Sequence, residues 1–483
     1  MLDTALLIDS EQVAATAGAT FDRIDPVLRS VATRASAASP ADAIHAANVA
    51  ARAFPVWSKT PPAERRAVLN RAADLLIERI DDFADAVVTE TGGTRMWAAF
   101  NCRLAASIVR DAAAMTTQIT GETIPADRQG SFAMAVRQPC GVIFSLAPWN
   151  APVILSARSV AMPLACGNTV LMKGSELCPR THGLLGEVMN DAGLPPGAMN
   201  VIHTCPEQAS DVVEAVIAHP AVRRVNFTGS TRVGRMIAEK AARHLKRCLL
   251  ELGGKAPLVV LADADLAAAV DAATFGAFFH QGQICMSTER VVIEEAVADE
   301  FVARLAERAA GMSAIDPRST ECVLGSMITE QAAQRVKGLI DDAQLNGAAL
   351  AAGGRQDGVF VDPVVLDHVT PAMRIYHEES FGPVASIVRV GDEEEAVSVA
   401  NDTEYGLAAA VFSRDVTRAL AIAERLECGI CHINSATIHD EPQMPFGGMK
   451  ASGYGRFGGK AGIDEFTELR WITIQNGRLR YPI

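Results

Sequence analysis

The sequence predicts an α/β protein with more than one domain, and three observations predict it. From Gly141 onward, short apolar runs alternate with stretches of helical period, the pattern of βαβ units around a parallel sheet. The alternation resumes after Cys285, as a second α/β domain requires. At 483 residues the chain is longer than one core usually supports, so two or three domains are expected.

In chain order, Ser39-Pro40-Ala41-Asp42 joins an N-cap, a proline at the first helical position and a capping-box acid, and opens an Ala-rich helix towards Phe54. Thr60-Pro61-Pro62 starts the next. Its apolar face, Leu69, Ala72, Leu75, Leu76 and Ile80, continues through Phe83 and Val87 to the Gly92-Gly93 stop. The first hundred residues thus read as mostly helical packing. Glu122 to Gln138 has no long helical period and reads as extended. Strand-like runs follow at Gly141–Leu146, Thr169–Met172, Asn200–Ile202, Arg224–Phe227 and Leu258–Leu261, with helices over Arg180–Ala192 and Asp211–Ile217 between them. Beyond Cys285 come Val291–Ile293, helices over Ala296–Gly311 and Thr329–Leu345, and strands near Val361, Ala385–Val390 and Ala408–Phe412. A parallel sheet of this kind places ligands beyond the carboxyl ends of its strands.

Composition narrows the function. Hydrophobic residues make up 49% and charged residues 21%, the profile of a globular chain. A formal net charge of −13 argues against nucleic acid and anionic membranes as partners. The start, Met1 to Asp9, lacks the basic and apolar regions of a secretory signal. The apolar stretch Gly141–Met172 is interrupted by Pro148, Asn150, Pro152, Arg158 and Pro163. A cytoplasmic protein is expected. Its ten cysteines therefore read as reduced thiols. Cys428-Gly429-Ile430-Cys431-His432 matches a haem-attachment pattern, but that chemistry needs an exported chain, and a buried strand explains the run. No metal site is expected.

The chemistry concentrates in Gly282-Gln283-Ile284-Cys285 and Glu251-Leu252-Gly253-Gly254-Lys255: a cysteine among small and amide residues, and a carboxylate in a Gly-rich turn. These are the ingredients of a thiolate nucleophile and its base. Phe227-Thr228-Gly229-Ser230-Thr231-Arg232-Val233-Gly234 follows a strand and opens a helix running to Arg243, so it is either a phosphate cradle or a plain strand-to-helix turn. Lys173-Gly174-Ser175-Glu176 ends another strand; it reads as a ribose-binding pair or a charged turn, and an acid there repels a 2′-phosphate. Asn150, in Pro148-Trp149-Asn150-Ala151-Pro152, either fixes a turn or offers its amide to an oxyanion. Gly453-Tyr454-Gly455-Arg456-Phe457-Gly458 fits G-x-G-x-x-G, but no strand precedes it, and it reads as a loop.

Taken together and in order, these motifs, with Glu378-Glu379-Ser380-Phe381-Gly382-Pro383 and Pro445-Phe446-Gly447-Gly448, resemble the aldehyde dehydrogenase superfamily over nearly the whole chain. The 34 positions from Glu251 to Cys285 match the usual separation of base and nucleophile there. The runs from His280 to Arg290 and from Glu465 to Ile472 look most like the aromatic branch, the salicylaldehyde, vanillin and benzaldehyde dehydrogenases.

The resemblance implies a Rossmann-like NAD-binding domain over 1–119 and 139–250, a catalytic α/β domain over 251–450, and a small β oligomerisation extension over 120–138 and 451–483. It implies Cys285 as nucleophile, Asn150 as oxyanion donor and Glu251 as base for hydrolysis; members that pass the acyl group to coenzyme A generally lack this glutamate. Cofactor residues would be Ala147, Trp149, Lys173, Glu176, Gly229, Ser230, Val233, Leu252, Glu379 and Phe381. NAD is the implied cofactor, with NADP as the alternative. The aldehyde tunnel would be lined by Trp97, Leu155, Arg158, Phe279, Ile284 and Met286, with His439 at its mouth or in a solvated loop. Arg158, unusual there, suits a ring bearing an oxygen substituent; an aliphatic semialdehyde whose carboxylate pairs with Arg158 is the alternative. A homodimer or homotetramer is expected.

Overall fold

The computed structural model describes residues 1–483. The first of two large sheets has eight strands, and its parallel centre is ordered Arg247–Glu251, Val222–Thr228, Val142–Leu146, Thr169–Lys173, Met199–Ile202. The chain enters in the middle, winds outward one way, then returns and winds out the other. Its order reverses between Val142–Leu146 and Val222–Thr228, where a doubly wound sheet opens its ligand crevice. Helices cover both faces, so Val142–Leu146, Thr169–Lys173 and Met199–Ile202 are buried throughout and read in sequence as unbroken apolar runs. The strand Arg247–Glu251 carries charged residues at both ends and gave no such signal.

The edges of this sheet depart from expectation. Leu6–Ile8 pairs antiparallel with Met199–Ile202 and Glu11–Val13 extends it, while Leu2–Thr4, Val31–Ser36 and Thr20–Ile24 form a separate small sheet. The first 36 residues are therefore strands and turns rather than helices; strands of three to six residues are too short to show a period. At the other edge, Gly453–Tyr454, expected in a loop, pairs antiparallel with Leu250 and Glu251, so these two residues join the first sheet rather than the extension. The helix expected from Pro62 to Thr91 is two, Pro62–Glu78 and Ile80–Thr91, separated by Arg79 at φ −106°, ψ 23°. The period hid the break because Leu69, Leu76, Phe83 and Val87 all enter one core. Ser39 caps the helix Pro40–Trp57 as expected, with Ser39 Oγ accepting from the Asp42 N–H and Asp42 Oδ2 from the Ser39 N–H.

The second sheet runs Ala349–Ala352, Val364–Asp367, Val384–Val390, Thr288–Glu294, Ala256–Val260, Ala408–Phe412, Ile430–Ile433, parallel except for its first strand. Ile430–Ile433 is half-buried, not buried, because it is the edge strand of the sheet, paired on one side alone. All ten cysteines are free thiols. A third sheet joins Glu122–Ile124, Ser131–Pro139 and Thr467–Gln475, the last two paired residue for residue from Thr467 opposite Pro139 to Gln475 opposite Ser131. It leaves Phe132, Leu469, Trp471 and Ile474 exposed. No helix is long and apolar enough to cross a membrane.

The chain passes from the first sheet to the second between Glu251 and Ala256, and a buried ion pair fixes that crossing. Lys255 Nζ donates to Glu289 Oε2 at 2.7 Å and to the Glu378 carbonyl at 2.8 Å. Glu289 also accepts from the backbone N–H groups of Ser380 and Phe381 at 3.0 Å. Both side chains are almost wholly excluded from solvent. Removing one partner strands a buried charge, so Lys255→Met should cost about 3–5 kcal/mol, read as a lowered midpoint in denaturant.

Candidate active site

Cys285 is presented by a constrained turn. The helix Leu266–Phe278 ends, and His280 (φ 49°), Gln281 (φ 57°) and Gly282 (φ 68°) follow in left-handed backbone. Such conformations cost about 1–3 kcal/mol per non-glycine residue and persist only where their surroundings hold them. A Cβ at Gly282 would lie 2.1 Å from the Gly382 carbonyl oxygen, so this position admits only glycine. The His280 ring stacks on Trp97 with centroids 4.4 Å apart. Trp97 Nε1–H donates to the Asn150 carbonyl at 3.1 Å, and Asn150 Nδ2–H donates to the Gln283 carbonyl at 3.0 Å. The Asn150 amide is thereby held two residues from the thiol. From the other side, a Cβ at Gly254 would come within 2.5 Å of the Cys285 carbonyl oxygen, which is how the Glu251 turn approaches so closely.

Glu251 is 1% exposed, and apart from the Cys285 thiol beside it no group hydrogen-bonds its carboxyl oxygens. Burial pushes this carboxyl up to about 7, with the Cys285 thiol and Arg158 pulling the other way. Burial also pushes the Cys285 thiol well above its ordinary value, and the neighbouring Glu251 adds to it. Charge on either group opposes charge on the other, so the resting pair holds a neutral thiol beside a carboxyl poised near neutrality.

Two cavities meet at this pair, sharing Asn150 and Cys285. One, of about 400 Å³, is mostly apolar. Trp97, Leu155, Ile284, Met286, Arg158 and His439 line it as expected. Phe279 does not: it stands behind the wall, stacked on Phe275 at 4.9 Å and edge-on to Trp97 at 5.2 Å, and Phe275, one helical turn earlier, takes its place. Sequence reasoning missed Phe100 and Leu104, which follow Trp97 on one face of the helix Arg95–Met115 and were legible from helical spacing. It also missed Ile438, Asp440 and Phe446, which come from an aperiodic loop. Arg158 is not a free cation, since it pairs with Asp440 and lies 4.2 Å over the Phe446 ring. His439 is exposed at the rim and bonds Glu441 at 2.9 Å.

The second cavity, of about 210 Å³, opens where the first sheet reverses its strand order. Trp149, Gly229, Ser230, Leu252, Glu379 and Phe381 line it. Ser230 caps the helix Thr231–Arg243, its Oγ accepting from the Val233 N–H. Val233 contributes to that cap and packs half-buried rather than lining the cavity. Glu379 accepts from the Gly254 N–H at 2.9 Å, and burial followed by the nearby Glu289 pushes its carboxyl up to about 8. Ala147 is buried just past the end of its strand, and Lys173, the last residue of the next, pairs with Glu176 beyond it at 3.3 Å. These three border the crevice without lining this cavity. No cluster of three or more His, Cys, Asp or Glu side chains forms a metal-binding group.

Known proteins share the sequence and the fold. The family model described as the aldehyde dehydrogenase family matches residues 13–472. A vanillin dehydrogenase of Pseudomonas fluorescens is 57% identical over the full length of both chains. An NAD(+) benzaldehyde dehydrogenase of Pseudomonas putida is 40% identical over 96% of this chain and 95% of its own. Among solved structures, a salicylaldehyde dehydrogenase from Pseudomonas putida complexed with salicylaldehyde superposes with a TM-score of 0.98 at 46% identity, covering both chains fully. With its fold, its paired cavities and these relatives in agreement, the chain belongs to the aldehyde dehydrogenase family.

Proposed function

We propose that this chain oxidises aromatic aldehydes, hydroxylated benzaldehydes above all, to carboxylic acids with NAD as oxidant. The observation that carries the reading is the meeting, at Cys285 and Asn150, of an aromatic-walled cavity with a crevice that opens where the first sheet reverses its strand order. Relatives named for vanillin and benzaldehyde, and a structural neighbour holding salicylaldehyde, support the substrate class. The Arg158–Asp440 pair weighs against an aliphatic semialdehyde, whose distal carboxylate would meet a cation already neutralised.

The second cavity suits a dinucleotide. Ser230 and the helix N-terminus behind it would meet an anionic phosphate. Trp149 and Phe381, edge to face at 5.7 Å, wall the inner end. Lys173 and Glu176, paired at the border of the crevice, would hold the ribose hydroxyls, and the Glu176 carboxylate would disfavour the 2′-phosphate of NADP.

Cys285 attacks the aldehyde carbon after giving up its proton, and Glu251, buried beside it with no other partner for its carboxyl oxygens, is the base within reach. The resulting oxyanion is met by the Asn150 amide and the Cys285 backbone N–H, each such donor contributing about 3 kcal/mol to the transition state. NAD supplies, when bound, the acceptor for the hydride that leaves the thiohemiacetal carbon. Once that first proton has passed from Glu251 to solvent, the carboxylate takes a proton from the water that attacks the Cys285 thioester and returns it to the departing sulfur, releasing the acid and restoring the thiol.

A carboxyl raised to about 7 is protonated, and useless as a base, below that pH; its base form grows as pH rises through it. Turnover should therefore climb to a plateau above about pH 7. Glu251→Gln should lose that limb and about 10²–10⁴ of steady-state rate while retaining, in alkaline stopped-flow experiments, a slowed burst of NADH; a burst absent at every pH would confine Glu251 to thiol activation. Against a panel of salicylaldehyde, vanillin, benzaldehyde and hexanal with NAD and NADP in parallel, an aryl aldehyde with NAD should lead by about tenfold or more in kcat/KM. Hexanal leading every aryl aldehyde would overturn the substrate class. We also assign self-association to the third sheet, whose exposed Trp471 and Leu469 form an apolar face. Sedimentation of Trp471→Glu should show weaker assembly than wild type.

A further inference from the structure

Asp440 has one carboxylate oxygen too many for its protein surroundings. Its side chain lines the aldehyde cavity and is 10% exposed. Oδ2 is taken by Arg158, but Oδ1 is buried with no hydrogen-bond partner. No protein group donates to it, and Ser435, the hydroxyl-bearing residue of the same cavity wall, makes no bond to it. The neighbouring His439 is turned to Glu441, and the one indole N–H in the cavity wall, that of Trp97, is spent on the Asn150 carbonyl. Phe446 and Ile438 have no side-chain donors to give. Arg158 is itself only 6% exposed and is fixed between Asp440 and the Phe446 ring, so the pair is a built feature of the wall rather than a surface contact. An ionised carboxylate only accepts, and a buried acceptor left unpaired is costly, so a ligand that brings an O–H to this wall is selected over one that does not.

We infer that Asp440 is a specificity-determining residue that accepts a hydrogen bond from a hydroxyl on the substrate ring, with Arg158 holding the carboxylate in place rather than contacting the ring oxygen itself. The inference rests on the aromatic-aldehyde reading above and deepens it. It makes the recognised group a donor. A neutral phenol satisfies Asp440 through a charge-assisted hydrogen bond; a methyl ether offers only lone pairs to a carboxylate, and a phenolate brings a second negative charge.

Each hydroxybenzaldehyde isomer is compared with its methyl ether by kcat/KM, at a pH below the ionisation of the phenol, with benzaldehyde and hexanal as references. In the wild-type enzyme at least one isomer should beat its ether by about tenfold or more. In Asp440→Asn, whose amide keeps the shape but offers N–H groups, that ratio should fall to near one or invert. A third measurement needs no variant: as pH rises through ionisation of the phenol, the wild-type kcat/KM for the hydroxylated substrate should fall relative to that for benzaldehyde. A wild-type ratio near one, a ratio preserved in folded Asp440→Asn, or no relative fall on ionisation would each overturn the role of Asp440. If aryl aldehydes still outrun hexanal in those cases, the aromatic reading stands alone. If hexanal leads throughout, both fall together.

Discussion

The buried pair of Lys255 and Glu289 is the constraint on which the rest of the site depends. Two charges withdrawn from water persist only where further donors and acceptors complete them, and here the completing groups are the Glu378 carbonyl and the N–H groups of Ser380 and Phe381. Lys255 belongs to the crossing between the sheets, Glu289 to the strand that follows Cys285, and the completing backbone to the loop bearing Glu379 and Phe381. One buried contact thereby sets the base, the nucleophile and one wall of the cofactor crevice relative to one another. Each lies on a separate stretch of chain with no local reason to converge.

Given that frame, the electrostatics of Cys285 and Glu251 follow from exclusion of water. In an exposed site the carboxylate would be ionised, and the thiol would titrate in its usual range. Buried together with little to solvate either charge, both are pushed towards their neutral forms. A neutral thiol is protected from adventitious oxidation and disulfide exchange, since the thiolate is the reactive species. The machinery is thus held in reserve.

Much of this was legible in sequence, and the limits have physical causes. Buried parallel strands such as Thr169–Lys173 stand out because both faces demand apolar residues, and the Ser39 cap is readable because it is local. The motif residues at the crevice were legible through resemblance: Gly229 and Ser230 lie where the strand order reverses. The short strands before Ser36 were hidden because three to six residues are too few to show an alternation, and the break at Arg79 because the residues on both sides of it enter one core. Phe279 was misplaced because the helix ends at Phe278 and the chain turns extended at Phe279 (φ −55°, ψ 134°), where its ring stacks back on Phe275, and nothing in the residue types announces that. Asp440 escaped notice for a related reason, since its meaning lies in Arg158, 282 positions away.

Trp97 shows how tightly recognition and catalysis are joined here. Its ring is part of the aldehyde wall, its N–H holds the Asn150 loop, and its face supports His280 in the nucleophile turn. The cavity therefore has two kinds of wall for evolution or design to work on. Phe100 and Phe275, substantially exposed at the outer end, can drift to admit new ring substituents without disturbing the chemistry. Trp97 cannot, because any change that widens the tunnel there also loosens the oxyanion donor and the thiol together. Substrate range in such an enzyme should diversify from the mouth inward and stop at the indole.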